Sequence, residues 1–451
     1  MARLKALWLR MIDSLWFVPA VLTLAGAVAA ILLVNANDTL LGQVGADGRW
    51  WAFGGTAEGA AGVLSAISGS IITVTGVVFS VTIVALQLAS SQFTPRVLRQ
   101  FTSDRANQIV LGVFIGTFTY TLLVQRTLRT ADAGEEFVPN IAVTGAVLLA
   151  LVSIAFLIFF INHAARSIQA SVIIDSVALD TLASIRRVFP ERMEEDDEEP
   201  LVLADAYTEG RDEPSRAIRV TKSGYIQEID RATLKKVAEL NHLFIRLDAE
   251  IGRFILPGDE VMCVWPAVEV DEQIEADLRG ALLLGMERTP HQDLKLGVIE
   301  LMDIAVKAMS PSVNDPTTAL NAMDRLGELL LELAWRKRGD RVEMSGHGRP
   351  VLITRRPVLE DTLGIAFDQL RHYAADNPMV AIAMMRLLGR LSATAPFAAR
   401  AAFARQLHEV KSTAENRIKD PVDRTRFDVA AVEALRVAAG DSRPQVEARG
   451  G

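Results

Sequence analysis

The 451-residue chain has a single cysteine, Cys263. No intramolecular disulfide can form, and no Cys/His cluster has zinc spacing. A disulfide-stapled secreted scaffold and a zinc module are both excluded, and one thiol fits a reducing compartment. There is no P-loop, nucleophile elbow or dinucleotide fingerprint, so an enzyme is the weakest class, and neither a cofactor nor a metal is expected. Positive charge is short as well. The formal net charge is −8, which argues against a general nucleic-acid binder. What the chain has is apolar surface. Half of its residues are hydrophobic, and they saturate the first third. A membrane part followed by a soluble part is the arrangement this implies.

A spanning helix needs about 20 mostly apolar residues. Four uncharged runs qualify: 14–37, 59–95, 106–125 and 137–165. They predict spans over about 15–35, 62–90, 107–126 and 139–162 within a transmembrane domain of residues 1–168. The first run follows Arg3, Lys5 and Arg10 but is too long for a signal core, so it reads as an uncleaved anchor. Arg96, Arg99 and Arg105 follow span two, and Arg166, Arg186 and Arg187 follow span four. The other side has Arg49 among Asp38, Asp47 and Glu58, then Arg126 and Arg129 facing Asp132, Glu135 and Glu136. This bias places both termini in the cytoplasm. Trp50 and Trp51 would mark the outer interface, and Trp8 and Trp16 the inner one.

Span two is too long for one perpendicular crossing. It must tilt, break or project. At 100° per residue, Ser65, Gly69, Thr73, Gly76, Ser80, Gln87 and Ser91 fall within one arc of about 80°, with Ile83 as an intruder. One reading is packing, because Ser65-x-x-x-Gly69-x-x-x-Thr73 and Gly76-x-x-x-Ser80 let backbones approach closely. The other is a wet permeation face in an oligomer. Both stay open. In span three, Gly112 and Gly116 read as a packing seam. His163 in span four reads as interfacial.

Residues 169–189 predict a helix leaving the membrane, with a stripe of Ile173, Val177, Leu179, Leu182 and Ile185, stopped by Pro190. The run "EEDDEEP" lies in an acidic linker over 190–214. Residues 217–266 alternate strand-like runs with a short helix: 217–220, 225–229, 231–239, 243–247, 253–255 and 261–264. Gly224-Tyr225-Ile226, Ile229-Asp230 before a helix, and Gly252 followed by Pro257-Gly258-Asp259-Glu260-Val261 resemble the α/β-hammerhead module of pyrimidine nucleoside phosphorylases. The resemblance implies a fold over 215–270 and no activity. Met262-Cys263-Val264 lacks the lysine that a biotinyl or lipoyl carrier requires.

Residues 271–440 read as an all-α bundle. Thr289-Pro290-His291-Gln292 predicts a helix start with a capping box, the helix running to about Met309. Its buried stripe is Leu294, Val298, Leu301, Ala305 and Ala308. Asp293, Glu300, Asp303 and Lys307 read as a solvated, salt-bridged face. Pro311 stops this helix, and Asp315 caps the next with Pro316 in its first turn. Ser312, Asn314, Asp315, Thr317 and Thr318 form a candidate anion loop at that N-terminus. A helix over 317–336 follows, striped by Leu320, Met323, Leu326, Leu330 and Leu333, then a basic loop over 336–350. Helices follow at about 358–374, 378–393, 397–416 and 421–439, and 441–451 reads as a disordered tail.

The four-span start, "SGSIITVTGVVFSVTIVALQLASSQFTPRVLRQF", "SGYIQEID" and "DIAVKAMSPSVNDPTTA" together resemble the prokaryotic membrane proteins of the domain of unknown function 2254 family, over most of residues 5–435. The resemblance implies an inner-membrane protein with a cytoplasmic domain and carries over no catalytic residue. The fold class expected is a multi-domain membrane protein: four transmembrane helices, a small hammerhead-like α/β domain and a C-terminal all-α bundle. The function expected is a homo-oligomeric channel or conduit lined by span two. Its rival is a non-conducting scaffold or sensor whose cytoplasmic bundle binds a protein partner. The partners expected are the lipid bilayer and further copies of the chain.

Overall fold

The computed structural model describes residues 14, 16–36, 53–92, 104–129, 136–194, 214–337 and 339–440, with the side chains of 89–92 outside that description. Several expectations therefore lie outside the described residues. They are the N-terminal basic cluster with Trp8, the loop with Trp50 and Trp51, Arg96 and Arg99, Asp132 and Glu135, most of the acidic linker, and the tail. The chain divides into two compact units, Met1–Val172 and Ile173–Gly451.

In the first unit, four helices are long and apolar enough to cross a membrane. They are α1 (Phe17–Asn35), α2 (Ala57–Gln92), α3 (Arg105–Gln125) and α4 (Asn140–Ser167). Helix α3 is the central one and packs on the other three. Against α1 the fit is backbone to backbone. A Cβ on Gly26 would stand 2.6 Å from the Gly116 carbonyl oxygen, and one on Gly112 would stand 3.1 Å from the Pro19 Cα. Gly112 and Gly116 are thus the packing seam that their spacing predicts. Against α4, α3 is joined by polar contacts in a dry core. The Tyr120 hydroxyl donates to the Ala142 carbonyl at 2.8 Å, and the Thr117 and Ser153 hydroxyls lie 3.1 Å apart. Asp104 caps α3 by accepting from the Ala106 N–H, and its other oxygen lies 2.5 Å from His163 Nε2 on α4. At the opposite end, Glu136 accepts from the Ala57 N–H, so a carboxylate sits where the α2 dipole favours one.

The second unit begins within α5 (Ala170–Val188). Its buried arc holds Ile173, Val177, Leu182 and Ile185 as expected, but Leu179 is 65% exposed. The arc is centred on Ile174, Val177, Ala178 and Thr181, and Leu179 lies about 150° from that centre. The α/β module then follows the sequence pattern closely. It comprises β1 (Arg216–Arg219), β2 (Gly224–Ile229), α6 (Arg231–Leu240), β3 (Phe244–Leu247), β4 (Phe254–Ile255) and β5 (Glu260–Trp265). Asp230 caps α6 by accepting from the Thr233 N–H. Gly258 takes φ +97° in the turn read at Pro257-Gly258-Asp259.

The module does not close at residue 270, and the remainder is not all helical. After α7 (Glu272–Gly280), β6 (Leu282–Gly285) pairs antiparallel with β2. Strand β7 (Arg341–Met344) lies within the segment 336–350 expected to be a basic loop, and β8 (Pro350–Thr354) follows it where no element was expected. The sheets run β1-β5-β3-β8-β7 and β4-β2-β6, with β8 parallel to β3. The reason is a short run, Val351-Leu352-Ile353, buried on both faces and so without the alternation that marks a strand. The glycines of the supposed loop are the hairpin turn. Gly348 takes φ +74°, and the Ser345 N–H donates to the Arg349 carbonyl.

Helix α8 (Leu294–Ala308) starts four residues later than expected. Its cap is Asp293, which accepts from the Leu296 N–H at 3.1 Å. The proposed capping-box residues are bonded to β2 instead. Gln292 accepts from the Ile229 N–H, and the Thr289 hydroxyl donates to the Gln227 carbonyl. Nor does Asp293 belong to a solvated face. It is buried and held by two bonds from Arg288 at 2.7 and 2.8 Å. The expected apolar stripe of α8 is buried throughout. Helices α9 (Pro316–Ala334), α10 (Leu359–Ala374), α11 (Pro378–Thr394), α12 (Phe397–Glu415) and α13 (Pro421–Ala438) fall where their patterns place them. Asn377 and Asp420 cap α11 and α13 ahead of a first-turn proline. In α9 the stripe is buried except for Leu320, which is half-buried.

Candidate functional site

Helix α2 is one unbroken helix of 36 residues, about 54 Å long at 1.5 Å per residue, against a hydrocarbon core of about 30 Å. No proline interrupts it. The hydroxyls of Thr73, Thr75 and Thr82 donate to the carbonyls of Gly69, Ile71 and Val78, four residues back. Satisfied in this way, a hydroxyl can sit in a membrane helix at small cost.

The buried edge of α2 has a seven-residue period. Ala57, Leu64, Ile71, Val78 and Ala85 are buried, and Ser68 and Thr82 fill the intermediate positions. This edge packs on α3 and α4. The small polar stripe lies elsewhere on the helix. Ser65, Gly69, Thr73, Gly76, Ser80 and Gln87 are all exposed within the described chain. A Cβ added at Gly62, Gly69 or Gly76 would meet nothing within 4 Å, in contrast to the crowded Gly26, Gly112 and Gly116. Among the described residues the stripe is exposed, with Ser65 met by Gln125 of α3. Ser91 lies on the last turns of α2, and its side chain is outside the description.

Within the stripe, Ser65 accepts from Gln125 Nε2 on α3 at 2.8 Å, and Thr73 is bonded to its own helix. Neither Ser80 nor Gln87 has a hydrogen-bond partner among the described residues. The sequence reading missed the regularity of this face. Gly62, Gly69, Gly76 and Ile83 are seven apart, as are Ala66, Thr73, Ser80 and Gln87. A seven-residue repeat keeps one face of a helix turned to a partner crossing at a small left-handed angle. That period was legible from Gly62 onward.

The other candidate site is the turn before α9. Asp315 accepts from the Thr318 N–H at 3.1 Å and from the Thr318 hydroxyl at 2.6 Å. These bonds, the hydroxyl's first, hold its carboxyl below the usual aspartate range. A carboxylate thus occupies the place at this helix N-terminus that an anion would take. Ser312 bonds to Ser310, Asn314 adopts φ 47°, and Ser312, Asn314 and Thr317 are exposed while Thr318 is half-buried. The cluster is accounted for as a cap and turn.

Four apolar helices with a mixed α/β second unit define an integral membrane protein. The family described as predicted membrane protein (DUF2254) matches residues 12–390, and the chain belongs to that family. Similar relatives are uncharacterised proteins of Mycobacterium tuberculosis (strain H37Rv) and Mycobacterium bovis. Each is 32% identical over 421 residues, covering 92% of this chain and 78% of the relative. No solved structure matches, so the hammerhead likeness has no structural relative behind it.

Proposed function

We propose that the protein is the protomer of a homo-oligomeric conduit of the cytoplasmic membrane, with the α2 stripe facing further copies around a wet axis. The observation that carries this reading is the exposed polar stripe, above all Gly69, Thr73, Gly76 and Ser80 in the middle of a helix of membrane character. Lipid cannot satisfy these groups, but water in a shared lumen or a facing helix can. Small residues at a period of seven favour close, regular approach of neighbouring copies. The stripe has no ring of charge, so it sets no ion preference. The reading involves no chemical step and no cofactor.

Both termini are assigned to the cytoplasm. Asp104, Arg105, His163 and Arg166 share one end of the four-helix unit, since Asp104 bonds His163. Glu58 and Glu136 share the other, since Glu136 bonds the Ala57 N–H. Among the described residues each end carries two arginines, Arg105 and Arg166 at one and Arg126 and Arg129 at the other, so the assignment rests on the sequence bias of Arg3, Lys5, Arg10, Arg96 and Arg99 under the positive-inside rule.

The test is solute flux through proteoliposomes made with the wild type and with Gly76→Leu/Ser80→Leu. A conduit predicts flux that the double variant abolishes or alters while the chain still folds. Absence of flux in both, with assembly intact, supports instead the rival membrane scaffold that binds a cytoplasmic protein.

A further inference from the structure

The second unit contains a cleft unrelated to the α2 stripe. It lies among the C-terminal end of α5, the N-terminal turns of α6 and α8, the segment after β3, and the end of β8. Its volume is about 110 Å³, room for roughly four waters. That is the size of one phosphoryl group rather than of a whole metabolite, which needs about 300 Å³ or more.

Its lining is strongly cationic. Arg187, Arg231, Lys295, Arg355 and Arg356 face two carboxylates, Glu250 and Asp293. Asp293 is already engaged by Arg288 from outside the cleft, and Glu250 by Lys295 at 3.1 Å. The Arg187 guanidinium donates to the His291 carbonyl, and Arg356 Nη1 donates to the Lys337 carbonyl at 2.9 Å. Arg355 lies 3.5 Å from Asp248, a carboxylate it shares with Arg246. Arg231 has no hydrogen bond or ion pair among the described residues, although it is half-buried. Burial, then repulsion by Arg341, pushes its pKa down, with Glu343 opposing. Glu343 itself is 3.3 Å from Arg341.

A second, independent observation comes from β8. Thr354 is 7% exposed, lines the cleft, and its Oγ1 has no hydrogen-bond partner among the described residues. A buried hydroxyl without a partner, in a lining that also holds the half-buried Arg231, marks a place where a ligand can supply the missing acceptor.

We propose that this cleft binds a phosphoryl dianion, as inorganic phosphate or as the phosphate end of a small phosphorylated molecule. A dianion answers an excess of several positive charges, and its tetrahedral oxygens can accept from Arg231, Arg187, Arg356 and the Thr354 hydroxyl together. A monocarboxylate carries too little charge for this lining. Ile229, Ile251, Leu294 and Pro357 form an apolar wall at the same site, against which the rest of a phosphomonoester can rest.

The experiment is calorimetric titration of the full chain in nanodiscs with inorganic phosphate and, separately, with adenosine monophosphate. Thermal unfolding is followed alongside. The expected result is saturable binding that stabilises the wild type and is weakened about tenfold or more in Arg231→Gln. Thr354→Val, nearly isosteric, weakens it as well and decides the matter if Arg231→Gln fails to fold. Tighter binding of the nucleotide points to an organic phosphomonoester, and equal or weaker binding points to free phosphate. Both support the site. No saturable binding of either probe, or equal binding by wild type and variants, overturns it.

Discussion

Glycines of the same type do opposite work in α2 and α3. Gly116 lies against the α1 backbone, with Leu22 oxygen 3.0 Å from where a Cβ would stand, whereas Gly69 looks into open space. Gly116→Leu is expected to destabilise the protomer by about 1–3 kcal/mol through overpacking, seen as a lower thermal midpoint in detergent. Gly69→Leu is expected to leave that midpoint within about 0.5 kcal/mol while weakening oligomers on native mass spectra. Gly297 on α8 is a crowded case in the second unit, because a Cβ there would strike the Thr181 hydroxyl of α5. Gly297→Ala should therefore also cost about 1–3 kcal/mol. Asp315 adds a pH signature. Its folded-state pKa is depressed by Thr318, so its contribution is present above the unfolded value near 3.9 and is lost as pH falls through the folded one. Asp315→Asn keeps a cap but titrates no longer. Comparing thermal midpoints from pH 6 to pH 3 should show the wild type losing an increment that the variant does not.

At the scale of elements, strong local signals placed the helices of both units. Asn377-Pro378 and Asp420-Pro421 fix starts by cap chemistry, and the long uncharged runs fix α1 to α4. The errors share a physical origin. Whether Val351-Leu352-Ile353 forms a strand is decided by β3, more than a hundred residues earlier, which no local pattern reports. Gln292 has the spacing of a capping box but spends its amide on β2. Leu179 has roughly helical spacing but sits off the arc that the tertiary contacts select. The α2 stripe was legible residue by residue, but its unburied state was not, because burial depends on which face α3 and α4 take. If β8 is a central strand, Leu352→Asp should unfold the second unit, losing at least about 3 kcal/mol, as read by circular dichroism. In a surface loop the same change would be nearly silent.

At the scale of the molecule, the membrane unit carries one open face among its described residues. One helix of its membrane unit presents a polar, glycine-rich face that its own neighbours do not cover. On the proposed reading, further copies of the chain cover this face, and the seven-residue repeat of small residues favours that over a different partner. The measurement that tests this most directly is a cryo-EM reconstruction of the protein in lipid nanodiscs, with subunits counted and the radius traced along α2. The account predicts a symmetric oligomer in which Gly69, Thr73, Gly76, Ser80 and Gln87 face neighbouring copies and a continuous wet axis. A monomer, or an oligomer with that stripe turned to lipid, would contradict it.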